Sequence, residues 1–422
     1  MNMIAQPPQR TAAESALIDA YDRRLSSLPG NAAVMMKRDD ALERLKAGLP
    51  TRKVEAWHYT DLRRLLAALP TAEAAPAKVV RPLLAESAVV AVVNGAAEGA
   101  FPSLEGVAFQ RLEEKLRDGS FAPALTLNGD DDAIGALNAA FVADGAFVDI
   151  AADAAPALPI ELQNVQKGGL SHVRFPVRVG DRAKVTIVER QMGEGAGLST
   201  SVSHLLVGEG AEVLWLIVQE RPEEAIHLAQ FNAELGKNAR LTLFVMNSGG
   251  RLVRQEVRVA TRGEGSDFQL RGINLLSGET HCDVTMVLDH KVPHTGSREL
   301  VRNVVTDKAR GVFQGRINVH QVAQKTDAKM ACNTLLLSDD GEFSTKPELE
   351  IFADDVQCGH GATVTEIDRN HLFYMMARGI EERTARGMLV KAFLAEVIEE
   401  LKVESIVDAL EARLDAWFEA HG

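Results

Sequence analysis

The chain predicts a mainly β protein with helical ends, its centre a β-helix of stacked repeats. Three observations predict this. A 28-residue motif recurs through the middle, the residues flanking it alternate at strand period, and both ends change to helical spacing. The regions expected are 1–150, helical and mixed; 151–366, the β core; and 367–422, helical.

Taken in order, residues Ala12 to Leu28 carry apolar Leu17, Tyr21, Leu25 and Leu28 near helical period, and Pro29-Gly30 ends them. Asn31 is placed to cap a second helix that runs to Gly48. A turn at Gly48-Leu49-Pro50-Thr51 leads to Glu55, Trp57, Tyr59 and Thr60. The Ala- and Pro-rich stretch Pro70 to Pro82 reads as a linker. Val89 to Val93 reads as a short buried strand, and Ile134 to Val142 as a helix.

The repeat then emerges. Val179-Gly180-Asp181-Arg182-Ala183-Lys184-Val185 matches Val207-Gly208-Glu209-Gly210-Ala211-Glu212-Val213 and Leu235-Gly236-Lys237-Asn238-Ala239-Arg240-Leu241. The glycines stand 28 residues apart (208 − 180 and 236 − 208), and Gly263 continues the series weakly. Ile187, Trp215 and Leu243 fall into one column of the repeat, and Val177, Leu205 and Ala233 into another. A unit of this length cannot bury its apolar face alone, so neighbours must stack. Periodicity by itself leaves open a large β-sandwich with look-alike hairpins. Strand-like runs continue at Val301–Val305, Val312–Val319, Leu335–Leu337 and Leu349–Phe352. After Asp368, a cap residue, three amphipathic helices follow, ending on Trp417-Phe418. Their apolar stripes suit packing on the β core and docking of a partner equally.

Composition bounds the function. The 422 residues are 46% hydrophobic and carry a net charge of −13, which gives no global field for nucleic acid. No apolar run approaches the ~20 residues of a spanning helix. The first two dozen residues lack an export signal, and three cysteines make no disulfide framework, so a reducing, cytoplasmic setting is expected. No phosphate loop, GxSxG elbow, HExxH or CxxC motif is present.

The best candidate for metal chemistry is Cys358-Gly359-His360. In an extended chain Cys358 and His360 share a face, and thiolate plus imidazole makes a soft nitrogen–sulfur pair. Two ligands are half of a usual coordination set, so a second chain or a separate donor is expected to complete any site. The bland alternative is a tight turn with a buried thiol and a solvated imidazole. His281-Cys282 face opposite ways in a strand and are read as structural. So are His290 and His294, whose i, i+4 spacing is interrupted by Pro293.

The C-terminal third resembles the SufD family, scaffold subunits of the SUF iron–sulfur cluster assembly machinery. The resemblance is carried by Gly315-Arg316-Ile317, Ala323 to Ala328 (AQKTDA), Leu335 to Ser338, Thr345 to Ile351 (TKPELEI), Cys358 with His360 to Thr363, Leu372-Phe373-Tyr374 and Ala377 to Ile380. Gly48-Leu49-Pro50 and Trp57 to Thr60 look like the family's N-terminal motif. The sister SufB type shares the LFY and RGI elements, while TKPELEI and CxHGAT favour the D type. Gly359 departs from the Ser of many relatives. The resemblance implies a right-handed parallel β-helix, a SufB-like partner joined along it, and a SufC-like ABC ATPase docked on the C-terminal helices. It implies a nascent iron–sulfur cluster at the partner interface near His360, with Cys358 its neighbour. It also implies reduced FAD in the complex and a homodimer when the chain is isolated. A non-enzymatic scaffold is the expected role. The rivals are a β-helix polysaccharide-active enzyme and a purely structural partner.

Overall fold

A computed structural model describes residues 10–421. The first nine residues, where the stretch read as lacking an export signal begins, lie outside the described residues. No helix among those described is long and apolar enough to cross a membrane.

Among the described residues there are eight α-helices: α1 (Ala12–Arg24), α2 (Ala32–Ala47), α3 (Leu62–Leu65), α4 (Leu112–Asp118), α5 (Ala133–Phe141), α6 (Arg369–Met376), α7 (Glu382–Glu399) and α8 (Glu404–His421). The strands open with β1 (Ala88–Val93), β2 (Ala96–Ala97), β3 (Val107–Arg111) and β4 (Asp144–Ile150). Next come β5 (Ile160–Lys167), β6 (Leu170–Val179), β7 (Lys184–Glu194), β8 (Leu198–Val207), β9 (Glu212–Glu220), β10 (Ile226–Leu235), β11 (Arg240–Ser248) and β12 (Leu252–Thr261). The last are β13 (Asp267–Leu276), β14 (His281–His290), β15 (Gly296–Val305), β16 (Arg310–Val319), β17 (Asp327–Leu336), β18 (Glu342–Ile351) and β19 (Gln357–Thr365).

The chain alternates between two sheets. One sheet has ten strands in the order β19-β17-β15-β13-β11-β9-β7-β5-β1-β2, the other nine in the order β18-β16-β14-β12-β10-β8-β6-β4-β3. From β4 onward neighbouring strands in each sheet are parallel. This is a parallel β-solenoid and removes the sandwich alternative, whose sheets are antiparallel. The repeat columns are the observed register. Ile187, Trp215 and Leu243 stack on successive strands, as do Val177, Leu205 and Ala233.

The repeated glycine has a steric cause. A Cβ on Gly208 would stand 2.5–2.8 Å from Asp181 and from the Gly180 backbone on the preceding rung. The corners stack too closely for a side chain. Two residues on, Arg182, Gly210, Asn238 and Gly265 all take a positive φ of 54–72°, the left-handed corner that lets the chain change sheets.

Three apolar clusters hold the protein. The first fills the space between the sheets, with Phe175, Trp215, Phe231, Leu243, Phe268 and Phe313 fully buried. Each such side chain contributes roughly 1.5–3 kcal/mol. The second seats the N-terminal helices on the outer face of β8, β10 and β12 through Leu198, Val202, Leu228 and Leu252. The third seats α7 and α8 on the outer face of the other sheet, Leu394, Val397 and Leu410 against Leu216, Phe244 and Ile273. The apolar stripes of α7 and α8 thus pack on the β core. Caps fall where expected: Asn31 Oδ1 accepts from Ala33 and Val34, and Asp368 accepts from Asn370.

The stretch read as a linker is irregular but pinned. Ala75 N–H donates to Lys167 O, Gln163 exchanges two hydrogen bonds with Val80, and Leu83 N–H donates to Glu161. Its proline content keeps it out of the sheet, while buried side chains of β5 satisfy its backbone.

Candidate functional site at the open end of the solenoid

The two ends of the solenoid differ. At the N-terminal end the short β2 and β3 turn back antiparallel and close the sheets. At the C-terminal end β18 and β19 are the last strands of both sheets. Their outer N–H and C=O groups form two free edges, the natural template for another chain.

Cys358 and His360 lie on β19, the last rung. Cys358 pairs with Ala328 and His360 with Met330, both buried in the solenoid core, so thiol and imidazole face inward together as strand alternation requires. Cys358 is half-buried against the core, and His360 is exposed. With Lys329, Met330 and Gln357 they line a depression of about 380 Å³. Burial raises the Cys358 thiol above its ordinary pKa, and the negative charges of Asp327 and Glu299 add to this. A bound cation would be needed to hold the thiolate at neutral pH. No third His, Cys, Asp or Glu joins them to make a metal-holding group among the described residues. The pair fits half of a cluster's coordination, not the whole. On the outer face of this rung, a Cβ on Gly359 or Gly361 would meet nothing within 4 Å.

The other singled-out residues are structural. Cys282 is buried in the core with its thiol pushed up by burial, while His281 faces out and meets Thr60 Oγ1 at 2.9 Å. His290 is buried with Nδ1 2.7 Å from Thr295 Oγ1, and His294 sits in a left-handed turn. Cys332 is buried and accepts from Asn303, its thiol pushed up to about 11.

Three features escaped the sequence reading. One is a ladder of buried amides inside the solenoid: Asn164, Gln191, Gln219, Asn247, Asn274 and Asn303, ending on Thr334. Asn247 donates to Asn274 (2.8 Å), Asn274 to Asn303 (2.7 Å) and Asn303 to Thr334 (2.9 Å). Gln191, Gln219 and Asn247 share the 28-residue spacing, which was the available signal. The second is a clasp. Fully buried Trp57 lies under the Arg254 guanidinium at 3.8 Å, Arg254 pairs with Asp283 and Glu256, and Thr60 donates to Asp283. It anchors Trp57 and Thr60 of the N-terminal region on the β core. The third is Glu299, a fully buried carboxyl below the open rung.

A flavin fits the cleft beneath Ala56 poorly. The cleft of about 580 Å³ beneath Ala56 holds Arg254, Arg258, Lys291 and Arg316, but Glu256, Asp283, Asp289 and Glu350 already pair with them. A flavin pyrophosphate needs free donors, so nothing in this chain's own chemistry is routed through one.

Directly after β19, α6 exposes Phe373 (73%), Tyr374 and Met376, and α7 exposes Met388. Such a run of apolar surface marks a contact site.

The fold is a parallel β-solenoid whose last rung carries a thiol and an imidazole side by side at two unpaired sheet edges. The family model for "SUF system FeS cluster assembly, SufBD core domain" matches residues 162–393. The iron–sulfur cluster assembly protein SufD of Escherichia coli is 29% identical over 88% of this chain and 89% of its own length. An iron–sulfur cluster assembly SufBD family protein of Synechocystis is 30% identical over 64% of this chain and 63% of its own. The chloroplastic protein ABCI7 of Arabidopsis thaliana is 31% identical over 57% and 51%. The chain belongs to the SufBD family of iron–sulfur cluster assembly proteins and is of the SufD type.

Proposed function

We propose that this chain is the non-catalytic scaffold subunit of a cytoplasmic SufBCD-type complex. A SufB-like paralogue pairs with the free edges of β18 and β19. A SufC-like ABC ATPase docks on the C-terminal helices and hydrolyses ATP, for which this chain has no phosphate loop. His360, with Cys358 beside it, supplies part of the coordination for a nascent cluster, the complex's cargo, and the paralogue supplies the rest. The observation that carries the reading is the coincidence of both sheet edges with the inward thiol–imidazole pair on one terminal rung. The exposed Phe373, Tyr374 and Met388 favour the ATPase contact. Without its paralogue the chain can pair the same edges with a second copy.

The test is His360→Ala in cells that depend on this system, scored by the activity of cluster-containing enzymes, with co-purification of the three chains as the control. The reading predicts an intact complex and lost enzyme activity. Full activity in the variant overturns the site, and failure of the chains to co-purify overturns the scaffold role.

A further inference from the structure

His360 heads a column that leads into the solenoid. Inward residues stack in register as Leu270, Glu299, Met330 and His360, and two positions earlier as Phe268, Ser297, Ala328 and Cys358. Rungs are about 4.8 Å apart, so Glu299 lies about 10 Å beneath His360. It is 2% exposed between apolar Leu270 and Met330. Neither of its carboxyl oxygens meets a donor at hydrogen-bond geometry. An unpaired carboxylate is strongly disfavoured in such surroundings unless positive charge arrives nearby. The open rung is the side from which it can arrive.

We propose that Glu299 is the counter-charge for a divalent, thiophilic metal ion seated at Cys358 and His360. The inference rests on the reading of that pair as a half-site. On binding, the ion displaces the Cys358 thiol proton to water, and Glu299 in its ionised form contributes the second negative charge. The two positive charges gained are then matched by two negative ones. Glu299 is a positioning residue and touches neither ion nor cluster.

The groups around Glu299 fit this role. The Ser297 hydroxyl beside it, with His290 Nε2 3.4 Å beyond, and the charges of Arg271 and Arg298 offset only part of its burial. Arg271 is tied to Glu400 and Arg298 to Asp327, which leaves neither free to swing inward. Burial pushes the Glu299 carboxyl up to about 8, so it is neutral at pH 6 and largely charged at pH 8.5. Its negative field already reaches Cys358. Across about 10 Å at an effective dielectric of ~20, a full charge changes the affinity for a cation by about tenfold.

The experiment is Cd(II) binding to the purified full chain, followed by sulfur-to-cadmium charge-transfer absorption at pH 8.5 and pH 6.0. Glu299→Gln should weaken binding about tenfold at pH 8.5 and leave it unchanged at pH 6.0. Glu299→Met, which also removes the charge, should do the same and serves if the amide disturbs folding. Equal affinity of variants and wild type at pH 8.5 overturns the inference, as does an equal loss at both pH values, which would be a packing effect. His360→Ala separates the two layers. A band that needs His360 but ignores Glu299 refutes this inference alone, whereas no His360-dependent band in the wild type refutes the half-site as well.

Discussion

Replacing Asn274 by Leu tests how the interior amide ladder holds the solenoid. Asn274 accepts from Asn247 and donates to Asn303, all three fully buried. Leucine keeps the volume but leaves the Asn247 amide N–H₂ and the Asn303 carbonyl without partners. Each orphan costs about 1–3 kcal/mol, so the single variant should lose about 2–6 kcal/mol. Removing partners together is cheaper than orphaning them. The triple replacement of Asn247, Asn274 and Asn303 should therefore lie closer to wild type than the three single losses added together. Chemical unfolding of the single and combined variants reads this directly, with a double-mutant cycle isolating each pair. Strictly additive losses, or a single variant within 0.5 kcal/mol of wild type, would refute the claim that the amides act as one hydrogen-bonded column.

Other outcomes follow from the same geometry. Glu299 keeps its proton more tightly folded (about 8) than unfolded (4.5), so its contribution to stability falls as pH rises through that window and is flat above it. Glu299→Gln should erase this decline, seen as a widening gap in unfolding midpoints between pH 5 and 8.5. Identical pH slopes would show that Glu299 is not buried neutral. Gly361→Val meets open space and should change stability by less than about 1 kcal/mol, since valine suits a strand. If the paralogue covers this rung, the added side chain should still weaken its binding about tenfold or more by calorimetry; undiminished affinity would move the interface elsewhere. Phe373→Ser with Tyr374→Ser should leave the melting temperature within about 2 °C, because both side chains are exposed, yet abolish ATPase co-purification.

Much of the fold was legible because the solenoid repeats its own constraints. Gly180, Gly208 and Gly236 mark corners where backbones nearly touch, and the columns through Trp215 and Leu205 are observed strand register. Asn31 and Asp368 announced their helices through local hydrogen bonds that need no tertiary context. The pinned course of residues 70–82 was not legible, because its partners Gln163 and Lys167 lie far along the chain. At the site, alternation placed Cys358 and His360 on one face, and ligand counting left the rest of any coordination set to a second chain or a separate donor. That the pair would sit on the terminal rung, with both edges free, depends on where stacking stops. Glu299 carries no motif, and only the register brings it beneath His360.

The central claim is that the open rung completes a cluster site only with a second chain. The most direct test is anaerobic reconstitution of the three-chain complex with His360→Ala or wild-type subunit, followed by iron and acid-labile sulfide determination. The account predicts complexes of equal composition, with the variant retaining a small fraction of the wild-type iron and sulfide. Equal iron and sulfide in an equally assembled variant complex would contradict it.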